Sequence, residues 1–338
     1  MLIKEVRETL KTGGILTVKV LESPLEEYVE KLEDYTKSKM PYAPDNEKRF
    51  RGRLTKECKD MFFIGEINNE IVSLMWYTIS EDVGTYGMVS TKEEYRRKGI
   101  SNCLMKHCLK FMDKERNLLA MYLGVTNPIA KKIYEKYGWV SYNDCPNTCI
   151  MRRLKKNINQ ENFDKEYYRI DRKIRIRGVK RGDLPKIEAL YNWTGNKQLI
   201  KNYLSHIFNN TAVEGQIISL NNKVENNEGK FLCIENSLNH IVGIATLFDS
   251  NLNYQTHLKV LDFLVHPNYW DYTMKLLDSI IVEDEKRTKK EIISYLASCD
   301  KEKINWLKEL GFKERGIIRD YFRREEEKVN LLIFSKEV

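Results

Sequence analysis

The sequence predicts an α/β or α+β protein built from two tandem copies of one sheet fold. Three observations carry this reading. Strand-like and helix-like runs alternate after a hairpin start. The order of elements in the first half recurs in the second. Between the halves lies KKNINQENFDKEYYRID (155–171), charged, rich in Asn and without sustained apolar periodicity. A chain of 338 residues suits two domains better than one. The expected division is a domain over 1–154, a linker over 155–171 and a second domain over 172–338.

ILTVKVL (15–21) alternates as a strand. SPLEEYVEKLEDYTKSK (23–39) follows as a helix with Ser23 as its cap and Pro24 at its start. FFIGEINNEIVSLMWYTIS (62–80) places two β-rich runs around Asn68-Asn69, a hairpin signature. TYGMVST (85–91) is the next strand. Ser101 to Arg116 then carries Leu104, Cys108, Phe111 and Met112 as a helical stripe. LLAMYLGV (118–125) is a strand, NPIAKKIYEKYGW (127–139) a short helix stopped by Gly138, and TCIMRRL (148–154) a closing strand.

The second half restarts at IRIRGV (174–179), a strand, and Asp183 then caps a helix opening on Leu184 and Pro185. THLKVLDFLVHP (256–267) stands where TYGMVST stood, YTMKLLDSIIVEDEKR (272–287) where the following helix stood, and IISYLAS (292–298) where the next strand stood. KINWLKELGF (303–312) matches AKKIYEKYGW (130–139). The interval from Val89 to Gly138 is close to that from Val265 to Gly311, which points to tandem duplication.

Composition narrows the function classes. The apolar fraction of 42% fills a core in each half. Lys and Arg number 57 against 49 Asp and Glu, a net +8. Acids and bases alternate without segregating, so an anionic small ligand is expected and nucleic-acid binding is not. Seven cysteines, several in apolar segments, read as free thiols of a reducing compartment. Cys145 and Cys149 in DCPNTC (144–149) lack a matching second pair, so no metal site is expected. The N-terminal MLIKEVRETLKTGG is charged throughout, unlike a signal peptide, and no apolar run approaches the ~18 residues of a membrane span. A cytoplasmic location without membrane association is the expectation; the oligomeric state stays open.

The chemistry concentrates in EYRRKGISNC (94–103), where a strand hands over to a helix. A helix start exposes backbone N–H groups without intrahelical partners and the positive end of the dipole. A phosphate satisfies those donors where the backbone can approach it, and Gly99, lacking a Cβ, with small Ser101, permits that approach. Arg96, Arg97 and Lys98 add attraction. Alone, RRKG reads more readily as a solvated turn. One helix and one strand later come Asn127, Pro128, Ile129 and Ala130, then Tyr134, Gly138 and Trp139. Ala130 and Tyr134 lie one helical turn apart on a shared face; alone, Tyr134 reads as a core aromatic.

Taken together the two patches resemble the GNAT superfamily of acyl-CoA N-acyltransferases. The family's pyrophosphate signature is Arg or Gln, two residues, Gly, one residue, then Gly or Ala; Arg96, Gly99 and Ser101 occupy it, with serine departing from the pattern. A second signature of Asn, Ala, Tyr, Gly and an aromatic is met by Asn127, Ala130, Tyr134, Gly138 and Trp139. The resemblance is specific over roughly residues 60–154. It implies two tandem domains, each a mixed, mostly antiparallel sheet flanked by helices. It also implies acetyl-CoA in the splay between TYGMVST and LLAMYLGV, its pantetheine on the main chain of Met88, Val89 and Ser90 and its pyrophosphate on the amides of Arg97, Lys98, Gly99, Ile100 and Ser101. The acetyl group passes directly to a primary amine, with Tyr134 as general acid toward the leaving thiolate. The general base comes from a nearby carboxylate: Glu81, with Asp82 beside it and Glu66 more remote, all of which also read as ordinary turn or strand residues.

In the second half HPNYWDYTMK (266–275) has lost the glycine and the cations of the phosphate loop, with Tyr269, Trp270 and Asp271 in their place. Aligning Gly311 with Gly138 puts Leu307 where Tyr134 stands and Asp300 where Asn127 stands. The second copy is therefore expected to hold no acyl-CoA. Two other functions stay open: aminoacyl transfer from charged tRNA, as in the tandem-domain Fem peptidyltransferases, and a sensor that binds acyl-CoA without turnover. A small-molecule amine is the expected acceptor, with aminoglycosides, polyamines, amino acids and protein N-termini all open, and acidic residues, aromatics and an extended helix around SKMPYAPDNEKRFRGRL (38–54) are expected to border its pocket.

Overall fold

In the computed structural model the described residues are 1–37, 43–115, 117–144, 149–193, 195, 214–250, 254–285, 291–324 and 326–337. They pack as two units, one of residues 1–163 with 181–189, the other of 164–180 with 190–338.

The first unit is built on strands β1 (Leu2–Thr9) and β2 (Ile15–Glu22), helices α1 (Val29–Lys37) and α2 (Ala43–Phe50), and strands β3 (Lys59–Ile67), β4 (Glu70–Ser80) and β5 (Val83–Thr91). Helix α3 (Ile100–Met112), β6 (Ala120–Val125), α4 (Pro128–Glu135), β7 (Val140–Asp144) and β8 (Cys149–Leu154) follow, and α5 (Gln160–Tyr167) contains the chain boundary between the units at 163. The eight strands form one sheet of order β1-β2-β3-β4-β5-β6-β8-β7. Every pairing is antiparallel except that of β5 with β6. Asn68 and Asn69 both take positive φ, 51° and 63°. Asparagine tolerates that conformation, which suits the twist of a two-residue hairpin.

Alternation along the strands sorts the two faces. Met61, Phe63, Met75, Tyr77, Tyr86, Met121 and Leu123 pack with Leu104, Met105, Cys108 and Met112 of α3 in one core. Each such side chain contributes about 1.5–3 kcal/mol on removal from water. On the other face Arg49 of α2 lies 4.7 Å from the ring of Trp76, and its guanidinium bonds Asp60 at 2.8 Å. Asp60 also accepts from Trp76 Nε1 at 2.8 Å.

Some expectations need correction. Ser23 does not cap the first helix: its hydroxyl donates to the Arg49 carbonyl, a short 3-10 turn spans Glu26–Tyr28, and α1 begins only at Val29. The region 155–171 is not without periodicity, because α5 occupies its middle and buries Phe163 and Tyr167, four residues apart. Asn159 Oδ1 accepts from Asn162 N–H at 2.8 Å at the start of that helix. Strands β1 and β7 had no expectation attached, while α2 lies within the stretch 38–54, for which an extended helix is expected. The segment over 181–189 packs with the first unit, and its helix α6 (Leu184–Tyr191) opens on Leu184 and Pro185 as the sequence indicates.

The second unit carries β9 (Ile174–Gly178), α7 (Glu214–Glu225), β10 (Gly229–Asn236), β11 (Ile241–Asp249), β12 (Leu258–Val265), α8 (Thr273–Glu285), β13 (Glu291–Ala297), α9 (Lys301–Glu309), β14 (Lys313–Arg324) and β15 (Glu327–Glu337). Its sheet runs β14-β15-β13-β12-β11-β10-β9. Read from β9, this repeats the order of the first sheet from β2 onward, including the one parallel pair, β12 with β13. Gly138 and Gly311 end the equivalent helices with φ of 83° and 84°. The chain thus contains two mixed, mostly antiparallel sheets, each flanked by helices.

Two titrating groups of this unit oppose each other. Burial pushes the Asp300 carboxyl up to about 6 from 3.8, and pushes His266 down to about 4 from 6.5. The Asp300 contribution to stability is present below its unfolded value and is lost as pH rises through 6. The His266 contribution is present above 6.5 and is lost as pH falls toward 4. Between pH 4 and 6 the two changes cancel in part. Asp300→Asn should therefore make the melting temperature climb by several degrees from pH 4 to 6.5, where the parent protein stays nearly level. A level profile in the variant would contradict the assignment.

Candidate active site

Strand β5 pairs with β4 along most of its length but with β6 only from Val83 to Thr85, against Ala120 to Tyr122. Beyond Thr85 the two parallel strands separate, and β6 continues alongside β8 as far as Val125. The split is reinforced by an irregularity in β5. Leu74 faces Ser90 and Trp76 faces Gly87, so Met88 and Val89 together oppose Met75, and Met88 takes φ of 52°. A bulge of this kind re-aims main-chain groups out of the ladder.

At the open end of the split β5 runs through a 3-10 turn, Glu93–Tyr95, into α3. Arg97 and Gly99 adopt left-handed conformations, φ 63° and 85°, and Gly99 is the residue before the first helical turn. A Cβ at Gly99 would meet nothing within 4 Å, so the main chain there is open to a ligand. The first bond into the helix is that of Cys103 N–H to the Gly99 carbonyl, 3.1 Å. Ahead of it the amides of Gly99 to Asn102 have no intrahelical acceptor. The departure at Ser101 has a structural use: its hydroxyl lies 3.0 Å from Thr91 Oγ1, which is 2.9 Å from Ser73 Oγ, so it ties the helix start to β4 and β5. Arg96 Nε donates to the Thr91 carbonyl at 3.3 Å, and the Lys98 ammonium sits 4.9 Å from the Tyr95 ring.

These elements border a groove of about 1030 Å³. Of the predicted cofactor residues, Val89, Ser90, Arg96, Arg97, Gly99, Ile100, Ser101, Asn127 and Ala130 line it. Met88, Lys98 and Tyr134 are not among the lining residues. Ile129, 71% exposed, and Ile133 add an apolar wall that the sequence reading did not single out. Asn127 is the N-cap of α4: its Oδ1 accepts from the N–H groups of Ile129 at 2.9 Å and Ala130 at 3.4 Å. Asn127→Ala should cost about 1 kcal/mol in a denaturation measurement, the usual loss for such a cap; an unchanged midpoint would show that the cap contributes nothing.

Tyr134 is buried behind the groove, edge-on to Tyr86 at 6.1 Å and tilted to Trp139 at 6.3 Å. Burial pushes its phenol up to about 12, so it stays protonated across the physiological range. Glu81 is not brought together with these groups. It is an exposed turn residue with φ of 57° between β4 and β5, and it lines a different cavity with Glu57, Lys59 and Glu115. Glu66 is buried but paired with Lys19 at 2.6 Å. The pair Cys145 and Cys149 and the stretch 38–54 cannot be followed in full, because residues 38–42 and 145–148 lie outside the described ones. In the second unit the position of the phosphate loop is a 3-10 turn, Pro267–Tyr272, with His266 Nδ1 accepting from Asn268 N–H at 3.3 Å and Tyr269 buried. Leu307 there is fully buried.

Residues 22–139 match the sequence model of the acetyltransferase (GNAT) family. The match lies within the first unit, which carries a GNAT-type fold over those residues. A comparison with curated proteins finds no match. Among solved structures, a ribosomal-protein-alanine N-acetyltransferase from Brucella melitensis is 21% identical, covering 48% of this chain and 99% of its own, with a TM-score of 0.41. An N-acetyltransferase from Staphylococcus aureus Mu50 is 17% identical over 48% of this chain and 98% of its own, TM-score 0.41. A GNAT superfamily phosphinothricin acetyltransferase from Sinorhizobium meliloti, in complex with acetyl-CoA, is 12% identical over 49% and 88%, TM-score 0.43. No helix among the described residues is long and apolar enough to cross a membrane.

Proposed function

We propose that the chain is an acetyl-CoA-dependent N-acetyltransferase that passes the acetyl group directly to a primary amine of a small molecule. The single observation that carries this reading is the helix start at Gly99. Its helix-start amides, the two cations Arg96 and Arg97 and the left-handed glycine open on the same groove as the split between β5 and β6. In this reading the diphosphate sits on the amides of Arg97 to Ser101, where the helix dipole and the cations favour it. The pantetheine arm bonds the main chain of Met88 to Ser90 as an added strand fills a sheet. The N–H near Val89 polarises the thioester carbonyl.

The amine nitrogen then forms its bond to the carbonyl carbon, and the C–S bond breaks with its electron pair on sulfur. Tyr134 supplies a hydrogen bond to that thiolate. A phenol near 12 lies roughly 3 units above an ordinary thiol, so hydrogen bonding, with the proton completing from solvent, is easier than full transfer from the phenol. Residues 1–154, with 181–189 packed among them, form the catalytic domain, 155–171 connect, and the rest of 172–338 is a copy without a cofactor site: a buried leucine replaces the tyrosine and a proline-led turn replaces the glycine loop. Calorimetric titration of the intact protein with acetyl-CoA tests the reading. Micromolar binding with turnover of an amine supports it; absence of binding removes it, and binding without turnover of any amine leaves a sensor.

A further inference from the structure

The reading above leaves the amine without a base, and the structure offers one from outside the segment that matches the family. We propose that Glu188 is the general base of the transfer, an inference that rests on the acetyltransferase reading. The stretch 181–189 packs within the first unit and is held there at several points. The Arg181 guanidinium meets Asp45 Oδ1 at 2.6 Å, both buried. Gly182 N–H donates to Glu57 Oε2 at 2.8 Å. The approach is close enough that a Cβ on Gly182 would come 2.3 Å from Glu57 Cβ. Seven residues after Arg181, and so on a fixed helix, Glu188 is 3% exposed and its Oε2 accepts from Thr85 Oγ1 at 2.5 Å.

The place of Thr85 gives that contact its meaning. Thr85, opposite Tyr122, is the last residue of β5 in register with β6, so it marks the apex of the split. Tyr86, its neighbour, faces the α3 core, which leaves Thr85 and the Glu188 carboxylate on the opposite face of the sheet. A diphosphate on the start of α3 lies at the open end, and a cofactor arm running from it along the split points its thiol end toward this apex. Between Thr85 and the bulge at Val89 the strand covers about 12 Å, room for a thioester and an amine. A carboxylate at the apex then reaches the amine directly or through one water. It takes the proton that the nitrogen loses as the N–C bond forms, and returns it to solvent after the amide leaves. The Glu81 carboxylate, in its exposed turn, and Glu66, paired with Lys19, have no such placement.

The test compares the parent, Glu188→Gln and Glu188→Asp. It measures acetyl-CoA affinity by calorimetry, and release of CoA with a panel of spermidine, an aminoglycoside, an amino acid amide and a peptide with a free N-terminus. Expected for E188Q is an acetyl-CoA Kd within twofold of the parent, a kcat/KM lower by about 10²-fold or more, and loss of the rise in rate with pH on the acid limb. E188D, which keeps the carboxylate but withdraws it, should retain the pH limb at a reduced rate; it also serves if E188Q does not fold. A rate within threefold of the parent with an unchanged pH profile overturns the proposal, as does a loss confined to acetyl-CoA affinity, which marks a structural role. Failure of the parent to bind acetyl-CoA removes the acetyltransferase reading itself. Tight binding by the parent with no turnover of any amine leaves the sensor and removes the transferase reading and the base together, whereas turnover by the parent that E188Q keeps removes the base alone.

Discussion

Gly99→Glu should weaken acetyl-CoA binding by about three orders of magnitude while the protein stays folded. Three effects add. A side chain disfavours the left-handed conformation that the turn takes at Gly99, so where the free turn relaxes, restoring it on binding costs about 1–2 kcal/mol. A carboxylate about 5 Å from a diphosphate charge adds roughly 3 kcal/mol of repulsion at an effective dielectric near 20. The new side chain also covers amides that the cofactor needs. Packing is not lost, because a Cβ at this position meets nothing within 4 Å. The melting temperature should therefore fall only by the conformational cost. Gly99→Ala separates the contributions, since it carries the backbone strain without the charge and should weaken binding by about tenfold. Calorimetry on the three proteins checks the prediction. A loss below tenfold for the glutamate variant would show that the cofactor does not use this turn.

Tyr134→Phe should lower kcat by about 10²-fold and leave acetyl-CoA affinity within twofold. A hydrogen bond to a charged group contributes about 1.5–3 kcal/mol, and here that charge exists only as the thiolate leaves. The ring packing against Tyr86 and Trp139 is retained by phenylalanine, so stability should hardly move. Burial keeps the phenol at about 12, so the parent rate should show no fall between pH 8 and 10 that belongs to this group. An unchanged kcat in the variant would return Tyr134 to the core as a packing residue and leave the binding site untouched.

Much of the architecture was legible because local signals and tertiary packing agree. The Asn68-Asn69 turn, the α3 stripe and the Asn127 cap each specify their element from neighbours within a few residues. The helix start at Gly99 was legible for the same reason: it is a local object. The misread elements depend on distant partners. Ser23 turns away from the helix it precedes because the Arg49 carbonyl, 26 residues on, takes its hydroxyl. Helix α5 is mostly polar, and only the burial of Phe163 and Tyr167 gives it an inner face.

The base was illegible for a stronger reason. Reading near the phosphate loop along the chain leads to Glu81, which is close to β5 in sequence but belongs to a turn lining another cavity. Glu188 is 103 residues from the threonine it touches, beyond any spacing rule. The use of Ser101 was likewise hidden, since its partners Thr91 and Ser73 are brought to it only by the sheet.

The most direct test of the central claim is the structure of the protein with CoA bound. The account requires diphosphate oxygens within hydrogen-bond distance of main-chain N–H groups between Arg97 and Ser101, with the pantetheine arm between β5 and β6. A nucleotide seated elsewhere, with those amides facing only solvent, would contradict it.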